Sequence, residues 1–212
     1  MFLLYTFLWF YLYFYLRKVN SFNINYNSYF VAFVHANISV LINGLNYYFI
    51  DRYKNWDSEY NIISNQAISI SLGYFMYDLY HTIFTNFNKI YIIHHSLSIF
   101  TLLFSYRTQT CSKLVSTFLL FGELSNPLQI IWYLSDKLGY PKLEEIIFPI
   151  YSFLFVSIRT LIVPYLMLNI LFEYYNNYYI IFYCLCYTLG LIGSFKWTKK
   201  IVKKIIKRYV KP

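Results

Sequence analysis

Long apolar runs alternate with short polar breaks along the whole chain. A helix rises about 1.5 Å per residue, so about 20 apolar residues are needed to cross the hydrocarbon core of a bilayer. Runs of near this length fall at about 1–16, 29–50, 62–85, 91–106, 113–134, 146–171 and 178–195. The pattern predicts an all-α fold, a multi-pass transmembrane helical bundle of about six or seven spans. Pro127 and Pro164 lie inside two of the runs, where each should kink its helix and free a backbone carbonyl.

The first run is short, and the number of spans depends on it. It lacks a basic n-region and a small-residue cleavage site, so we interpret it as an anchoring span and not as a cleaved signal peptide. We therefore expect an N-terminal anchoring span and loop at 1–28, a transmembrane domain at 29–195 and a basic amphipathic tail at 196–212.

The composition agrees with a membrane as the main solvent of this chain. Hydrophobic residues make up 58% and charged residues only 13%, whereas soluble domains carry about 25% charged residues. The three cysteines, Cys111, Cys184 and Cys186, fit neither a disulfide framework nor a CxxC metal site. The chain has no Gly-rich phosphate loop, no GxSxG elbow and no HExxH motif. We expect neither a metal nor another cofactor.

The formal net charge of +9 is concentrated in the C-terminal tail. Its basic residues are Lys196, Lys199, Lys200, Lys203, Lys204, Lys207, Arg208 and Lys211. Spacings of three and four place them on one helix face, with Ile201, Val202, Ile205, Ile206 and Tyr209 on the other. Such a helix is expected to lie on the anionic cytoplasmic leaflet. Nucleic acid is disfavoured as a partner because the basic segment continues directly from a membrane span.

The Lys and Arg residues of the loops predict the orientation. With seven spans, the side of the tail also holds Arg17, Lys18, Lys89, Lys137 and Lys142, and the other side holds Arg52, Lys54, Arg107 and Lys113. The excess places the C-terminus in the cytosol and the N-terminus outside the cell or in a lumen.

Ionisable residues inside the apolar runs are the best indication of function. A charge at the centre of a membrane helix costs about 2.5–3.5 kcal/mol, so such groups build a site or hold helices together. In the third span, Ser71, Tyr74, Asp78 and His81 fall on one helix face. Asp78 and His81 are one turn apart and can hydrogen-bond, which would fix the tautomer of the histidine and raise its basicity.

Two adjacent histidines open the fourth span. His94 and His95 point about 100° apart, so one can face a reacting centre while the other orients it or bonds to a neighbouring helix. A histidine supported by a carboxylate suits general-base chemistry, which makes His94, His95 and Asp78 candidate catalytic residues. The same groups would also serve as a structural clamp between helices.

Three further polar residues lie inside spans at a similar depth. They are His35 in the second span, Glu123 in the fifth and Arg159 in the sixth, and Arg159 could neutralise Glu123 or Asp78. Together with His81 they form a candidate lipid-binding or structural polar cluster. A shared cavity requires this agreement in depth, and a buried salt-bridge network would also show it, so both interpretations stay open.

The order of these motifs resembles that of the TLC-domain family of multi-pass membrane proteins. The segments are a His in the second span, GYFMYDLYH, IHHSLSI, FGELSNPLQIIWYL, SIRTLIVP and a Trp followed by basic residues. The resemblance runs from about His35 to Lys207 and is nearest to the branch of TLC domain-containing protein 4. It implies a TLC-like bundle, residence in the endoplasmic reticulum and membrane lipids as partners.

The resemblance also implies candidate activities. In ceramide synthases of this family, the His pair that matches His94 and His95 is implicated in acyl transfer from acyl-CoA to a sphingoid base. The chain departs from those enzymes at 121–127, where they carry a His-Asp pair and a further Asp and this chain reads FGELSNP. Lipid homeostasis or lipid binding is therefore the favoured function. The alternatives are an acyl-CoA-dependent N-acyltransferase, with one His as base or transient nucleophile, and a membrane trafficking adaptor.

Overall fold

A computed structural model of the protein describes residues 1–19, 24–85 and 87–210. Within these ranges every regular element is helical, which confirms the all-α prediction. The helices are α1 (Phe2–Val19), α2 (Ile24–Asn46), α3 (Ile62–Phe84), α4 (Lys89–Thr108), α5 (Ser112–Glu123), α6 (Asn126–Lys137), α7 (Pro141–Ser157), α8 (Val163–Glu173) and α9 (Tyr178–Ile205). Short π-helical segments follow α2, α7 and α9, at Tyr47–Asp51, Ile158–Ile162 and Ile206–Val210.

Each predicted apolar run coincides with one helix or with two consecutive helices. Four helical segments of the described residues are long and apolar enough to cross a membrane: Tyr26–Asp51, Ser112–Lys137, Pro141–Glu173 and Tyr178–Tyr209. The helices α1, α3 and α4 are not among them, and α3 and α4 carry the polar residues that lower their hydropathy. The count of six or seven spans therefore stays a prediction.

Both prolines coincide with irregular backbone. Helix α5 ends at Glu123, and Pro127 lies in the first turn of α6. Pro164 lies in the first turn of α8, directly after the π-helical segment Ile158–Ile162. Because proline lacks an amide hydrogen and clashes with the preceding turn, it disfavours regular helix at these positions. The two breaks lie next to Glu123 and Arg159, and the first leaves the carbonyl of Gly122 free to accept a hydrogen bond from Arg159.

Helix α1 approaches α3 very closely at Gly73. A β-carbon on Gly73 would lie 2.7 Å from Cβ of Tyr5 and 2.9 Å from its carbonyl carbon, so only glycine fits without displacing α1. The Tyr5 hydroxyl donates to Oε1 of Gln66 at 2.6 Å, and the Trp9 indole N–H donates to the carbonyl of Ile70 at 3.2 Å. These contacts fix α1 to the helix that carries the polar stripe.

The two loops that connect α2 to α3 and α4 to α5 cover one end of the bundle. Tyr60 and Ser105 share a hydrogen bond of 2.5 Å between their hydroxyls. The amide of Ser112 donates to the carbonyl of Ser58 at 2.8 Å, which ties the two loops together. The end of the bundle opposite the tail is thus covered by ordered chain.

The basic tail continues α9 without a break. The boundary expected between 195 and 196 lies inside this helix, which ends at Ile205 before its π-helical extension. Ile201 is buried on α7, in a small core with Phe148, Tyr151 and Phe155. Lys211 lies outside the described residues.

Candidate functional site

A cavity of about 630 Å³ lies between α2 and the helices that follow it. Six of the seven candidate residues line it: Asp78, His81, His94, His95, Glu123 and Arg159. Its volume falls within the range of about 300–1,000 Å³ that small-molecule sites occupy. Among the described residues, no group of three or more His, Cys, Asp and Glu is arranged to hold a metal ion. The fold therefore gathers the polar residues of separate helices around one cavity.

Asp78 on α3 is joined to His95 on α4. Oδ2 of Asp78 lies 3.0 Å from Nε2 of His95, whereas the sequence spacing suggested a pair with His81. In the neutral ring, Nε2 therefore carries the hydrogen and Nδ1 keeps its lone pair. His95 is only 6% exposed, and its Nδ1 is buried with no hydrogen-bond partner in the described part of the chain.

His81 packs among aromatic rings. The ring centroids of His81 and Tyr13 on α1 are 5.2 Å apart in an edge-on arrangement, and Tyr77 lies 6.1 Å away on the same helix. Nε2 of His81 is buried and bonds to no polar atom of the described residues. His81 thus packs against α1, while Asp78, the carboxylate one turn away, pairs with His95.

His94 has a different environment from its neighbour. Its ring meets Trp197 edge to face at 5.9 Å, and the two histidine rings are 5.3 Å apart. Trp197 in turn stacks on Tyr91 at 5.3 Å. His94 is half-buried in the cavity wall, while His95 is held by a carboxylate, so the adjacent histidines take separate roles in the structure.

His35 lies behind the cavity wall. Its ring stacks flat on that of Tyr74, which lines the cavity, with centroids 3.8 Å apart. Nε2 of His35 is 3.4 Å from the hydroxyl of Ser71, and Nδ1 is 4.0 Å from Oε2 of Glu123. His35 therefore supports the wall from outside and does not line the cavity.

The interruptions of regular helix near Glu123 and Arg159 supply hydrogen-bond partners for these two residues. The side-chain amide of Asn126 donates to Oε2 of Glu123 at 2.8 Å, and Nη2 of Arg159 donates to the carbonyl of Gly122 at 2.5 Å. A carbonyl in the last turn of a helix lacks its usual amide partner, which explains why Gly122 accepts from a side chain. In the described part of the chain, Arg159 forms no ion pair with either carboxylate suggested by the sequence.

The cavity is elongated and chemically divided. Tyr91 and Leu102 both line it, and they are about 16 Å apart along the axis of α4. The ionisable residues lie toward the tail. Apart from Thr101, the residues that line the end toward the covering loops are mainly apolar and aromatic: Leu102, Phe118, Leu119, Val163, Cys186 and Tyr187.

Among the other wall residues, Tyr91, Trp132, Gly190 and Trp197 were not predicted from the sequence as site residues. Aromatic residues near span ends are typical of an interfacial belt, and nothing in the pattern separates a belt residue from a wall residue. Both tryptophans do fall inside the motif segments that carry the family resemblance.

A bundle of long apolar helices, four segments of which could cross a membrane, defines a multi-pass membrane protein. The sequence profile of the TLC domain matches residues 25–203, so the chain belongs to the TLC-domain family. It is accordingly an integral membrane protein with a lipid-related role. No curated protein matches the chain. The matched segment contains all seven candidate polar residues and leaves α1 outside.

Proposed function

We propose that the cavity binds a membrane lipid and that the protein acts in membrane lipid homeostasis. The polar group of the lipid lies against the ionisable end, and an alkyl chain runs along the apolar end. The division of the wall over about 16 Å carries this proposal, since an amphiphile of one polar group and one chain has the same division. The lipid-related role of the TLC domain supports it.

Unpartnered polar atoms around the cavity indicate where the polar group of the lipid binds. Nδ1 of His95, Nε2 of His81 and Nε of Arg159 are buried without a hydrogen-bond partner among the described residues, and all three residues line the cavity. Buried polar atoms are nearly always hydrogen-bonded, and hydrocarbon offers them no water. A bound headgroup with both donors and acceptors would satisfy them.

Gly190 offers a direct way to block the cavity. It lines the wall, and a β-carbon there would have no atom within 4 Å, so Gly190→Phe should fill the cavity without disturbing the helix. We expect this variant to retain less lipid than wild type, measured by mass spectrometry of lipids extracted from equal amounts of purified protein. The lipid class that is lost identifies the ligand.

Gly193→Phe is the matched control. Gly193 lies one turn further along α9, has the same free space and does not line the cavity. It should retain lipid like wild type, which separates cavity filling from a general effect of phenylalanine on α9. Equal lipid retention by the two variants would overturn the proposal.

Acyl transfer is the second candidate function, favoured by the contact between Asp78 and His95. With Nε2 committed to the carboxylate, the lone pair on Nδ1 of His95 can take the proton of an amine as it attacks the thioester carbonyl of acyl-CoA. A C–N bond forms, the C–S bond breaks, and the proton passes to the leaving thiolate. His94 lies beside His95 for contact with the reacting groups, and Glu123 or Arg159 would position the substrate.

The compartment and orientation of the protein are also part of the proposal. Residence in the endoplasmic reticulum is what the family resemblance implies, and the distribution of Lys and Arg supports a cytosolic C-terminus. The tail contacts the anionic cytoplasmic leaflet, as the exposed lysines at its end of the bundle favour. Affiliation to the branch of TLC domain-containing protein 4 rests on the GELSNP–Trp132 segment and on Gly73-Tyr74 before Asp78.

A further inference from the structure

One face of the basic tail is docked on α6 and α7. Nζ of Lys204 lies 3.5 Å from Oε1 of Glu144, and Nη1 of Arg208 lies 2.8 Å from Oε2 of the same carboxylate. Ile201, one turn before Lys204, is buried on Phe148. Nη2 of Arg208 also lies 3.8 Å from Oε1 of Glu145, so the docked face combines three ion pairs with an apolar contact.

Glu144 also reaches the wall of the cavity. The Trp132 indole N–H donates to Oε1 of Glu144 at 2.8 Å, and Trp132 lines the cavity. Nζ of Lys204 lies 4.4 Å from the centre of the Trp132 ring, a cation–π contact. Glu144, itself 7% exposed, thus connects the tail to a residue of the cavity rim.

The other lysines of the described part of the tail helix lie on exposed faces. Its exposed lysines, which pair with no carboxylate of the described residues, are Lys196, Lys199, Lys200, Lys203 and Lys207. Val202, Ile206 and Tyr209 follow at positions i, i+4 and i+7, which is one helix face, and all three are exposed. An apolar stripe beside a row of lysines is typical of a helix that binds an anionic lipid surface.

We propose that the tail is a latch on the cavity rim and that an anionic phospholipid surface releases it. The phosphates and carboxylates of such a surface compete with Glu144 for Lys204 and Arg208. The side chains of Lys204 and Arg208 are 42% and 25% exposed, so anionic headgroups can reach both cations and attract them away from Glu144. The exposed lysines and the apolar stripe add further attraction, so the surface wins the competition.

Release of the latch changes the rim of the cavity. Trp132 loses the ammonium group above its ring, and Glu144 loses both cations that hold it in place. The rim then opens more readily, and lipid exchanges faster between the cavity and the membrane. This consequence rests on the proposed lipid binding, whereas the docking of the tail itself does not.

Spin labels measure the docking without any ligand. Lys142 and Tyr209 are exposed, and they lie on α7 and at the end of the tail. Lys142→Cys and Tyr209→Cys, labelled with nitroxides, report the distance between these two elements by pulsed electron resonance in nanodiscs. We expect one short distance in phosphatidylcholine and a second, longer distance when phosphatidylserine is added.

Charge variants test the partners of the latch. Glu144→Gln keeps the acceptor for Trp132 but removes the charge, so the long distance should appear already in phosphatidylcholine. Lys204→Gln/Arg208→Gln should do the same from the side of the tail. The matched control, Lys203→Gln/Lys207→Gln, removes the same charge from the exposed face and should stay docked in phosphatidylcholine with a smaller response to phosphatidylserine.

The outcomes separate the latch from the proposed lipid binding. A single short distance in both membranes, or docking that survives in Glu144→Gln and in Lys204→Gln/Arg208→Gln, would overturn the latch. If Glu144→Gln does not fold, the tail variants decide. Exchange of a fluorescent lipid, measured on the same samples, tests whether the tail controls the cavity. Release of the tail without faster lipid exchange refutes that control. Absence of bound lipid refutes the proposed function alone.

Discussion

Asp78 and His95 belong to different helices, and their 3.0 Å contact determines which nitrogen of His95 is available for chemistry. A carboxylate that accepts from one ring nitrogen fixes the tautomer and leaves the other nitrogen with its lone pair. The available nitrogen is Nδ1. It is buried, and the His95 side chain to which it belongs lines the cavity. A base for acyl transfer and a headgroup ligand are both compatible with this geometry, and a rate measurement distinguishes them.

Asp78→Asn should leave the shape of the site intact and remove the carboxylate charge that would stabilise His95 as it takes the proton of the amine. If the protein transfers acyl groups, we expect a fall in rate of about 10²–10⁴-fold, the usual contribution of general acid–base catalysis. The measurement is N-acylation of a sphingoid base by long-chain acyl-CoA in reconstituted vesicles. Asp136→Asn, at an exposed position of α6, is the control with the same chemical change. Equal rates in the two variants and wild type would remove His95 as the base.

Residue positions in this site could be predicted from the sequence, but their partners could not. Six of the seven polar residues meet at one cavity because ionisable groups in apolar spans have to face the protein interior. The spacing of Asp78 and His81 suggested a local pair, yet Asp78 bonds across to α4 and His81 packs on Tyr13. Such contacts depend on how helices are placed against one another, which periodicity within one helix does not specify.

At the scale of elements, the docking of α1 depends on Gly73. Gly73→Ala should push α1 away from α3, because the new methyl group would meet backbone and β-carbon atoms of Tyr5 at less than 3 Å. We expect a loss of about 1–3 kcal/mol, the usual cost of overpacking, measured as a lower temperature of unfolding in detergent. Gly44→Ala on α2 is the control, since its nearest neighbour would be a flexible Leu120 methyl group at 3.8 Å. The docking argument fails if both variants unfold at the same temperature.

The helices of this chain can be predicted from the local sequence pattern, whereas the contacts between helices depend on how they pack. Apolar runs and Pro127 predict the helices and the break between α5 and α6, because hydropathy and the missing proline amide act locally. The tail was expected to present one basic and one apolar face. The structure buries Ile201 on α7 and leaves Val202 exposed, so the apolar residues of the tail face both the bundle and the exterior.

At the scale of the whole molecule, the open question is how many helices cross the membrane. The described residues contain four segments that are apolar enough by composition, and α3 and α4 are too polar to be among them. Yet their polar residues point into a shared cavity, which removes much of the cost of placing them in hydrocarbon. We therefore expect α3 and α4 to cross the membrane.

Single cysteines at Glu59, Lys89 and Lys207, all exposed, test this expectation. If α3 and α4 cross, Lys89→Cys and Lys207→Cys react with an impermeant maleimide on one side of sealed vesicles, and Glu59→Cys reacts only after detergent opens the other side. If only the four apolar segments cross, Lys89→Cys changes to the side of Glu59→Cys, while Lys207→Cys stays opposite. The background should be low: burial raises the pKa of the Cys111 thiol to about 12, which leaves little reactive thiolate, and Cys184 and Cys186 are buried in α9.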